Sequence, residues 1–478
     1  CPSVYDACDV REVPDCPLRP NVMVSCLMVN CSGRGAALGG QIPCDIPANA
    51  LWLIFSHANL SGPFPFDVLR ERLEHTPLIC NVSDCEQAYT QVLIPVIDFS
   101  YNNFTAIWAN SSATFWNQFA LLASLNLSHN QLSGELGTGT FSNASALGLD
   151  LSANKFTSVT GLAFYRFNWL MAEDFYFSQA LVFGLILDVS NNSLTHFDLS
   201  AFSTCAVGAL RLDHNSINAI NASLHTSDWC VFLISQFDLS FNMMSLNSTF
   251  TTMLLLLDEC SFGAVLVVNI SYNAISEIPQ NTFQGLTLVD ILELDLSHNP
   301  VGVINTTAFQ SVNARNISLS HCNITFIGEK AFQSASLNFL DLGHNQLGDI
   351  DDQAFLDASF ITGVNFQGGN DRRSTIGTGT FRGAQLGGTV DLSSWKIDSL
   401  GSQAFSNAAI NGSLLLSNNT IRQLPAYTFE GLNVNGTLDL SLAGVGEIDS
   451  LAFAGTQVKD DFDLRYNNFS TLSAQTFA

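Results

Sequence analysis

Hydrophobic residues recur along the chain in one pattern, which begins with two leucines separated by a single residue. The segment Leu292–Phe309, LELDLSHNPVGVINTTAF, shows the whole pattern, and Phe339–Phe355 and Ser413–Phe429 repeat it. Their shared frame is L-x-L-S-x-N-x-I-x-x-I-x-x-x-A-F. Because Leu-x-Leu alternates at the period of a β-strand, both leucines point to one face and the middle residue points to the other. The frame predicts a short strand in every repeat, with a turn at the asparagine.

This frame resembles the leucine-rich repeat in its extracellular version of about 24 residues. The resemblance covers nearly the whole chain and implies an α/β-type repeat solenoid, mostly β and coil, shaped as a curved horseshoe with a parallel β-sheet on its concave face. One repeat cannot bury its leucines alone, whereas stacked repeats share a continuous core. We expect a cysteine-rich N-terminal cap at residues 1–46 and a solenoid at 47–478, with insertions near 63–92, 157–186 and 247–266.

The position after each strand, here called the slot, is expected to hold an asparagine whose amide bonds to main-chain groups at the bend and to the next repeat. Reading the slot along the chain gives about sixteen turns. The slot residues are Ala58, Asn102, Asn130, Asn154, Asn192, Asn215, Asn242, Asn273, Asn299, Cys322, Asn345, Gly369, Trp395, Asn419, Ala443 and Asn467. Cys322 predicts a buried free thiol, and the large indole of Trp395 predicts a distorted turn.

A phenylalanine ten residues after the slot is predicted to fill the far side of the core. It occurs at Phe164, Phe202, Phe283, Phe309, Phe332, Phe355, Phe405, Phe429, Phe453 and Phe477. We interpret these rings as a structural spine and not as a ligand site. The aromatic-rich insertion after Asn154 has two interpretations, an extra helix packed on the convex side or an exposed contact patch.

The composition indicates an extracellular protein. A net charge of −25 argues against nucleic acid and anionic membrane surfaces as partners, and charged residues make up only 12% of the chain. N-glycans would solubilise such a surface. The Asn-x-Ser/Thr sequons are Asn30, Asn59, Asn81, Asn103, Asn110, Asn126, Asn143, Asn191, Asn221, Asn247, Asn269, Asn305, Asn316, Asn323, Asn411, Asn418, Asn435 and Asn468. The chain begins at Cys1 and shows no membrane-spanning run, so we expect a mature secreted or cell-surface chain.

Cysteine usage also indicates an oxidising compartment, since the chain carries 12 cysteines, many of them near its start. The candidates for disulfides are Cys1, Cys8, Cys16, Cys26, Cys31, Cys44, Cys80, Cys85, Cys205 and Cys230. Cys80 and Cys85 are close enough for a local bridge, and Cys205 and Cys230 fall at matching places in adjacent turns, with Cys260 as a competitor for either. The six cysteines of the cap allow fifteen pairings, among which the sequence does not choose.

Two columns of polar residues carry alternative interpretations. The middle residue of L-x-L is aspartate at Asp98, Asp150, Asp188, Asp238, Asp295, Asp341, Asp391, Asp439 and Asp463. This column would suit calcium or a cationic partner, or it is ordinary repeat composition, hydrated at the concave surface. The residue before the slot is histidine at His57, His129, His214, His298, His321 and His344, and tyrosine at Tyr101, Tyr272 and Tyr466. The last three histidines should stack, either as a zinc or pH-sensitive stripe or as a place for any planar side chain.

The sequence contains no G-x-S-x-G, H-E-x-x-H, G-x-x-x-x-G-K, G-x-G-x-x-G or C-x-x-C motif. We therefore predict a non-enzymatic protein without a cofactor or metal site, whose partners are proteins. The leading hypothesis is a scaffold subunit that assembles head to tail with other copies of itself into a fibre or surface coat, through a C-terminal face formed by Leu464, Phe469, Leu472 and Phe477. The alternative is the ligand-recognition ectodomain of a receptor or adhesion protein.

Overall fold

In a computed structural model of the protein, the described residues are 2–19, 22–43, 45–47, 50–64, 96–107, 122–141, 146–161, 163–164, 185–202, 207–221, 236–246, 250–254, 266–368, 373–469, 472 and 475–477. The chain divides into two compact units, Cys1–Phe237 (unit 1) and Asp238–Ala478 (unit 2). Both units are built from short parallel strands joined by turns, as the sequence frame predicts. Few helices occur among the described residues, and none has the length and apolar run that crossing a bilayer requires.

Unit 1 opens with a helix, α1 (Val4–Ala7), followed by the antiparallel strands β1 (Asp9–Arg19) and β2 (Val22–Asn30) and a second helix, α2 (Gly35–Leu38). A disulfide joins Cys8 to Cys31 across the base of this hairpin. Cys16 and Cys26 lie on β1 and β2, and their side chains are not among those described. The other predicted disulfide cysteines and Cys260 lie outside the described residues, as do most of the three predicted insertions.

The repeats of unit 1 form one main parallel sheet and two smaller ones. Their strands are β3 (Ala50–Ile54), β4 (Ser61–Pro63), β5 (Val96–Asp98), β6 (Asn103–Ala106), β7 (Leu122–Asn126), β8 (Ser133–Leu136), β9 (Ala146–Asp150), β10 (Lys155–Val159), β11 (Leu185–Asp188), β12 (His196–Asp198), β13 (Val207–Arg211) and β14 (Ala219–Asn221). A 3₁₀ helix, Leu199–Phe202, follows β12. The main sheet runs β2-β3-β5-β7-β9-β11-β13, and β4–β6 and β8-β10-β12-β14 form the others.

Unit 2 repeats the same arrangement, and β15 (Gln236–Asp238) contains the residues at which the two units divide. Its strands are β16 (Leu266–Asn269), β17 (Thr287–Asp295), β18 (Val303–Ile304), β19 (Asn313–Ser318), β20 (Phe326–Ile327), β21 (Ser336–Asp341), β22 (Asp349–Ile350), β23 (Ser359–Asn365), β24 (Ser374–Ile376), β25 (Gln385–Leu386), β26 (Val390–Asp391), β27 (Ile397–Leu400), β28 (Ala409–Ile410), β29 (Leu414–Leu415), β30 (Gln423–Leu424), β31 (Asn433–Val434), β32 (Leu438–Asp439), β33 (Glu447–Ile448), β34 (Gln457–Val458) and β35 (Phe462–Asp463).

The main parallel sheet of unit 2 runs β16-β17-β19-β21-β23-β25-β28-β31-β34. After β23 each repeat contributes two short strands where earlier repeats contribute one long strand. The second set forms its own sheet, β26-β29-β32-β35, and the outer strands form β18-β20-β22-β24-β27 and β30-β33. Gly412 lies at one of these breaks, and a Cβ there would lie 2.6 Å from the main-chain nitrogen of Thr389 in the preceding repeat, so the close approach of the two backbones requires glycine.

The predicted phenylalanine spine is confirmed in unit 2, where the rings lie parallel along the interior. Successive centroids from Phe283 to Phe477 are 4.7 to 5.5 Å apart. Phe381 belongs to this spine, although the ten-residue rule misses it because its repeat carries extra residues before the GTGTF segment. In unit 1, Phe141 and Phe164 stack in the same manner at 5.4 Å, and the side chain of Phe202 is not among those described.

The turns around the spine use left-handed backbone at ordinary residues. Lys330 and Ser334 flank Phe332 with φ of 57° and 55°. This conformation directs their main-chain N–H groups to the next repeat, where Ser334 donates to the carbonyl of Leu356 at 2.8 Å. An L-residue in this region costs about 1–2 kcal/mol, and the hydrogen bonds between repeats offset that cost.

Slot asparagines tie each turn to the repeat before it. Asn299 is 1% exposed, and its Nδ2 donates to the carbonyls of Ile270 at 3.0 Å and Leu296 at 2.9 Å. Its Oδ1 accepts from the main-chain N–H groups of Asn273 at 3.0 Å and Ile275 at 3.2 Å. The prediction of an inter-repeat bond is correct, but its direction is wrong: the amide contacts the preceding repeat, because that repeat presents unpaired groups at its own bend.

The two unusual slots are both buried. Cys322 is a free thiol with no exposed surface, as predicted, and burial raises its pKa to about 12. Trp395 is 3% exposed and packs edge-on against Phe366, with ring centroids 5.6 Å apart. The residue after each of these slots adopts positive φ, 53° at Asn323 and 55° at Lys396. The distortion predicted at Trp395 is thus a local backbone change that it shares with the cysteine slot, while Gly369 lies outside the described residues.

Candidate protein-interaction surface

The aspartate column has a structural role in every described turn where it occurs. Asp295 uses Oδ1 to accept the main-chain N–H of Ser297 at 2.9 Å, which closes a turn at the end of the strand. Asn269 makes the same bond to Ser271 at 3.0 Å, since an amide oxygen serves as well as a carboxylate oxygen. The other members are Asp98, Asn126, Asp150, Asp188, Asp238, Asp341, Asn365, Asp391, Asp439 and Asp463. Aspartate therefore recurs in this column because it closes the turn. The second oxygen of each carboxylate gives the surface along the column its negative charge.

The pKa values of two carboxyl groups, one beside this column and one in it, are shifted in opposite directions. Burial, together with the carboxylate of Asp295, raises the pKa of Glu293. Arg465 donates to Asp463 with Nη2–Oδ2 at 2.6 Å, and this contact lowers the pKa of Asp463. Within the described part of the chain, no three His, Cys, Asp or Glu side chains are grouped so that they would hold a metal ion.

The residues before the slots form a ladder of rings in unit 2, all exposed except the half-buried His298. Its members are Phe241, Tyr272, His298, His321 and His344, and each ring is parallel to the next within 11°. The four centroid separations are 4.3, 4.2, 4.5 and 4.4 Å along the ladder. The predicted histidine stack is confirmed, and Phe241, which the sequence interpretation overlooked, is found by reading the position before every slot. In unit 1, His57, Tyr101 and His129 stack at 4.3 and 4.0 Å.

The backbone at the ladder does not require rings. His298, His321 and His344 have φ of 55°, 55° and 56°, and Ala153 and Asn191 adopt 52° at the same repeat position. In each case the main-chain N–H donates to a carbonyl of the following turn, as from His321 to Gly343 at 3.1 Å. The turn therefore forms with or without a ring at this position, and the rings are not needed for its backbone conformation.

Stacking changes the acid–base behaviour of the central ring. Partial burial of the imidazole and its two neighbours, His298 and His344, lower the pKa of His321, while the carboxylate of Asp341 acts in the opposite direction. Desolvation is the larger cause, and the two imidazole neighbours add to it, because two positive charges on rings about 4.5 Å apart repel one another.

A groove of about 420 Å³ crosses four strands of unit 2. It is lined by Ser359, Phe360, Ile361, Gln385, Leu386, Gly387, Ala409, Ile410, Asn411, Asn433 and Asn435. The small residues Gly387 and Ala409 leave the depression, and a Cβ on Gly387 would lie 1.7 Å from the carbonyl oxygen of Ile361. Phe360 forms part of its buried floor, whereas Ile361 at the rim is 67% exposed.

The described sequon asparagines occupy two kinds of environment. Those with exposed side chains are Asn59, Asn103, Asn191, Asn221, Asn323, Asn411, Asn418, Asn435 and Asn468. Asn30, Asn126, Asn269, Asn305 and Asn316 are half-buried, and Nδ2 of Asn305 donates to the carbonyl of Ile278 at 3.1 Å. Asn81, Asn110, Asn143 and Asn247 lie outside the described residues.

Of the four residues of the predicted assembly face, Leu464 and Phe469 are half-buried. Leu472 and Phe477 are 49% and 52% exposed, in contrast with Phe453 of the preceding turn at 1%. Phe477 still stacks on Phe453, with centroids 5.4 Å apart, so it continues the spine.

Comparison with known proteins agrees with this repeat architecture. Residues 276–408 and 370–478 match the family profile described as BspA type leucine rich repeat region, in six copies. Residues 276–478 are leucine-rich repeats. Proteins of this repeat class are typically protein-interaction domains, and no curated protein matches this sequence.

Several solved structures are similar to the chain. The leucine-rich repeat domain of APL1B is 18% identical, with 64% of this chain and 79% of that chain covered and a TM-score of 0.36. The functional domain of InlJ from Listeria monocytogenes, which includes a cysteine ladder, is 16% identical, with 75% and 64% covered and a TM-score of 0.33. The Arabidopsis receptor kinase HAESA, solved with a peptide hormone and a co-receptor, is 16% identical, with 88% and 68% covered and a TM-score of 0.33.

Proposed function

We propose that this leucine-rich repeat protein is a non-enzymatic, extracellular, N-glycosylated recognition module that binds a protein partner at the groove of unit 2. The observation that carries the proposal is the exposed Ile361 beside a groove with an apolar floor. An isoleucine that is 67% exposed on a strand leaves apolar surface in water, and here it borders a depression that a partner's side chain could fill.

The lining of the groove suits a polypeptide. Its floor is the buried row Phe360, Leu386 and Ile410, and its rims carry amide side chains, among them Gln385 and Asn433. Apolar floors with a few polar groups at the rim are typical of sites that hold a side chain and orient the main chain beside it. We therefore expect the partner to insert an apolar side chain next to Ile361.

Charge favours a partner with basic groups. The aspartate column continues past the groove at Asp391 and Asp439, and the whole chain carries a net charge of −25. Complementary charge speeds encounter and selects among partners more than it adds affinity. A partner with basic residues flanking an apolar anchor fits both features.

The experiment is site-specific photo-cross-linking in the native extracellular setting. A photoreactive phenylalanine analogue replaces Ile361, and the matched control carries it at Ile186, which is also an exposed strand isoleucine (51%) but lies in unit 1. We expect a discrete cross-linked polypeptide from position 361, and its loss when Gln385 is changed to Trp to fill the groove. Identical adducts from both positions, or none from position 361, would contradict the proposal.

A second candidate is the head-to-tail scaffold predicted from the sequence. Leu472 and Phe477 would be covered by another copy in a fibre or coat, and heterologous contacts of this kind propagate. Sedimentation velocity of the native full-length protein tests it, with Phe477→Asp compared with Leu442→Asp, an exposed leucine elsewhere in unit 2 (55%). The scaffold requires a polymer that only Phe477→Asp dissociates, and a native protein that stays monomeric at high concentration contradicts it.

A further inference from the structure

The ring ladder of unit 2 contains three consecutive imidazoles that neither the fold nor the proposed partner site uses. The main-chain turn forms equally well with alanine or asparagine at this position, as at Ala153 and Asn191. His298, His321 and His344 are stacked with centroids 4.5 and 4.4 Å apart. A stack of this kind is stable while its rings are neutral, because ring–ring contact is then attractive.

We propose that the stack of His298, His321 and His344 is a proton-sensitive element of unit 2, which stays closed while the imidazoles are neutral and opens when acidification charges neighbouring rings. Imidazole is the side chain that changes charge between about pH 5 and 8. Two adjacent imidazolium rings at this separation repel each other, so protonation of neighbouring rings weakens their stacking.

The surroundings provide only limited compensation for the added charge. Around His321 the charged groups are the imidazole of His298 on the preceding turn, that of His344 on the following turn, and the carboxylate of Asp341. In the turn that contains His321, the position of the aspartate column is occupied by uncharged Ser318, whereas the two flanking turns have Asp295 and Asp341 there. Beyond His298 the ladder continues with neutral Tyr272, at 4.2 Å. Desolvation and these two like charges lower the pKa of His321, and the carboxylate of Asp341 opposes them only in part.

Opening the stack would affect the sheet edge beneath it. The main-chain N–H of His298 donates to the carbonyl of Ser320 at 3.0 Å, and that of His321 donates to Gly343 at 3.1 Å. If the rings move apart, they pull on His298 and His321, whose main-chain N–H groups make these bonds between turns. The inference stands on the stack alone and does not depend on the proposed groove partner.

The experiment is a pH titration of the intact protein by NMR, following the ring Cε1–H signals of the histidines. We expect the midpoint of His321 to lie below the ordinary value of about 6.5 and to rise toward it in the double variant His298→Asn/His344→Asn. Asparagine is chosen because Asn191 and Asn418 occupy the same position with φ of 52° and 55°. The ring signal of His129, which stacks on Tyr101 in unit 1, is the control and should be unaffected by the double substitution. An unchanged His321 midpoint in the double variant overturns the proposal.

Hydrogen exchange distinguishes opening from a mere shift in titration. After correction for intrinsic pH dependence, protection of the His298 and His321 amides should be lower at about pH 5 than at about pH 7.5. The Tyr101 amide, which donates to Ser128 at 3.0 Å within unit 1, should keep its protection. Equal changes at Tyr101 and His321 would show general loosening and contradict a local element, and no change at His321 would show that the stack does not open.

Discussion

At the scale of single residues, the fold depends on side chains that complete main-chain hydrogen bonds. The slot asparagine and the column aspartate occupy adjacent parts of the same turn and do different work. The former is buried and joins two repeats, while the latter is half-buried and closes its own turn. This explains why Asn and Asp interchange in the column, where only an oxygen acceptor is needed, whereas the slot uses both ends of an amide.

The slot can be tested by substitution. Asn299→Ala should lower the free energy of unfolding by about 2–3 kcal/mol, because it leaves buried donors and acceptors without partners. Gln346→Ala, an exposed position in the turn of Asn345, should change it little. Urea denaturation of both variants measures the difference. If the two midpoints agree, the buried amide does not carry the stability assigned to it here.

At the scale of elements, stacking along the solenoid repeats one contact many times. The phenylalanine spine, the ring ladder and the main-chain bonds between turns all run from each repeat to the next, so each repeat is stabilised chiefly by its neighbours. Apart from Phe477, the spine of unit 2 is interior, with Phe309 and Phe332 showing no exposed surface, whereas most rings of the ladder are exposed. Burial therefore makes the spine the larger contributor to stability.

The spine gives a prediction about register. Phe332→Ala should cost about 3–5 kcal/mol, as for buried aromatic side chains in general. Gln333→Ala should cost little, since Gln333 is half-buried and accepts only one side-chain bond, from Gln310 at 2.7 Å. Thermal melts of the two variants decide the matter, and coincident curves would mean that the spine is misassigned.

The ladder gives a prediction about pH and stability. Since the pKa of His321 is lowered in the folded protein, the unfolded chain binds more protons between that value and about 6.5, so stability falls as pH falls through this window. The raised pKa of Glu293 acts in the opposite direction at lower pH, above its ordinary value of 4.5. Melting temperatures should therefore drop from about pH 7.5 to about pH 5.5, and less so in His321→Asn. His129→Asn is the control, and an equal drop in both variants would exclude a role for the stack.

At the scale of the whole molecule, low charge density has to be reconciled with a long exposed surface. Charged residues make up 12% of the chain, and the aromatic side chains Tyr101, Phe241 and Tyr272 are each more than 40% exposed. N-glycans would keep such a surface hydrated, in agreement with the extracellular location that we propose. A partner bound at the groove would cover part of the exposed apolar surface that glycans leave uncovered.

Glycan occupancy follows from the placement of the sequons. We expect glycans at most exposed acceptors outside the groove, and on at least one of Asn126 and Asn269, whose Oδ1 atoms close their own turns and leave Nδ2 for the sugar. Asn411 and Asn435 line the groove and should remain unmodified, because the proposed partner occupies that space. Asn305 should remain unmodified, because its Nδ2 donates to the carbonyl of Ile278. Intact-mass analysis before and after enzymatic deglycosylation, with heavy-oxygen labelling of each site, measures occupancy. A mass loss equal to one or two glycans would refute the expectation.

The sequence by itself determined the repeat, the strands, the buried spine and the stack of His298, His321 and His344. These follow from periodicity, because an identical side chain at an identical repeat position meets its own copy in the next turn. Only the tertiary structure decided the direction of the slot bonds, the place of Phe381 in the spine and the groove beside Ile361. Each depends on how neighbouring turns of unequal length come into contact. The bend of the preceding turn determines which groups bond to the slot asparagine, and extra residues displace Phe381 from the regular spacing. Gly387 opens the groove only because larger side chains border it.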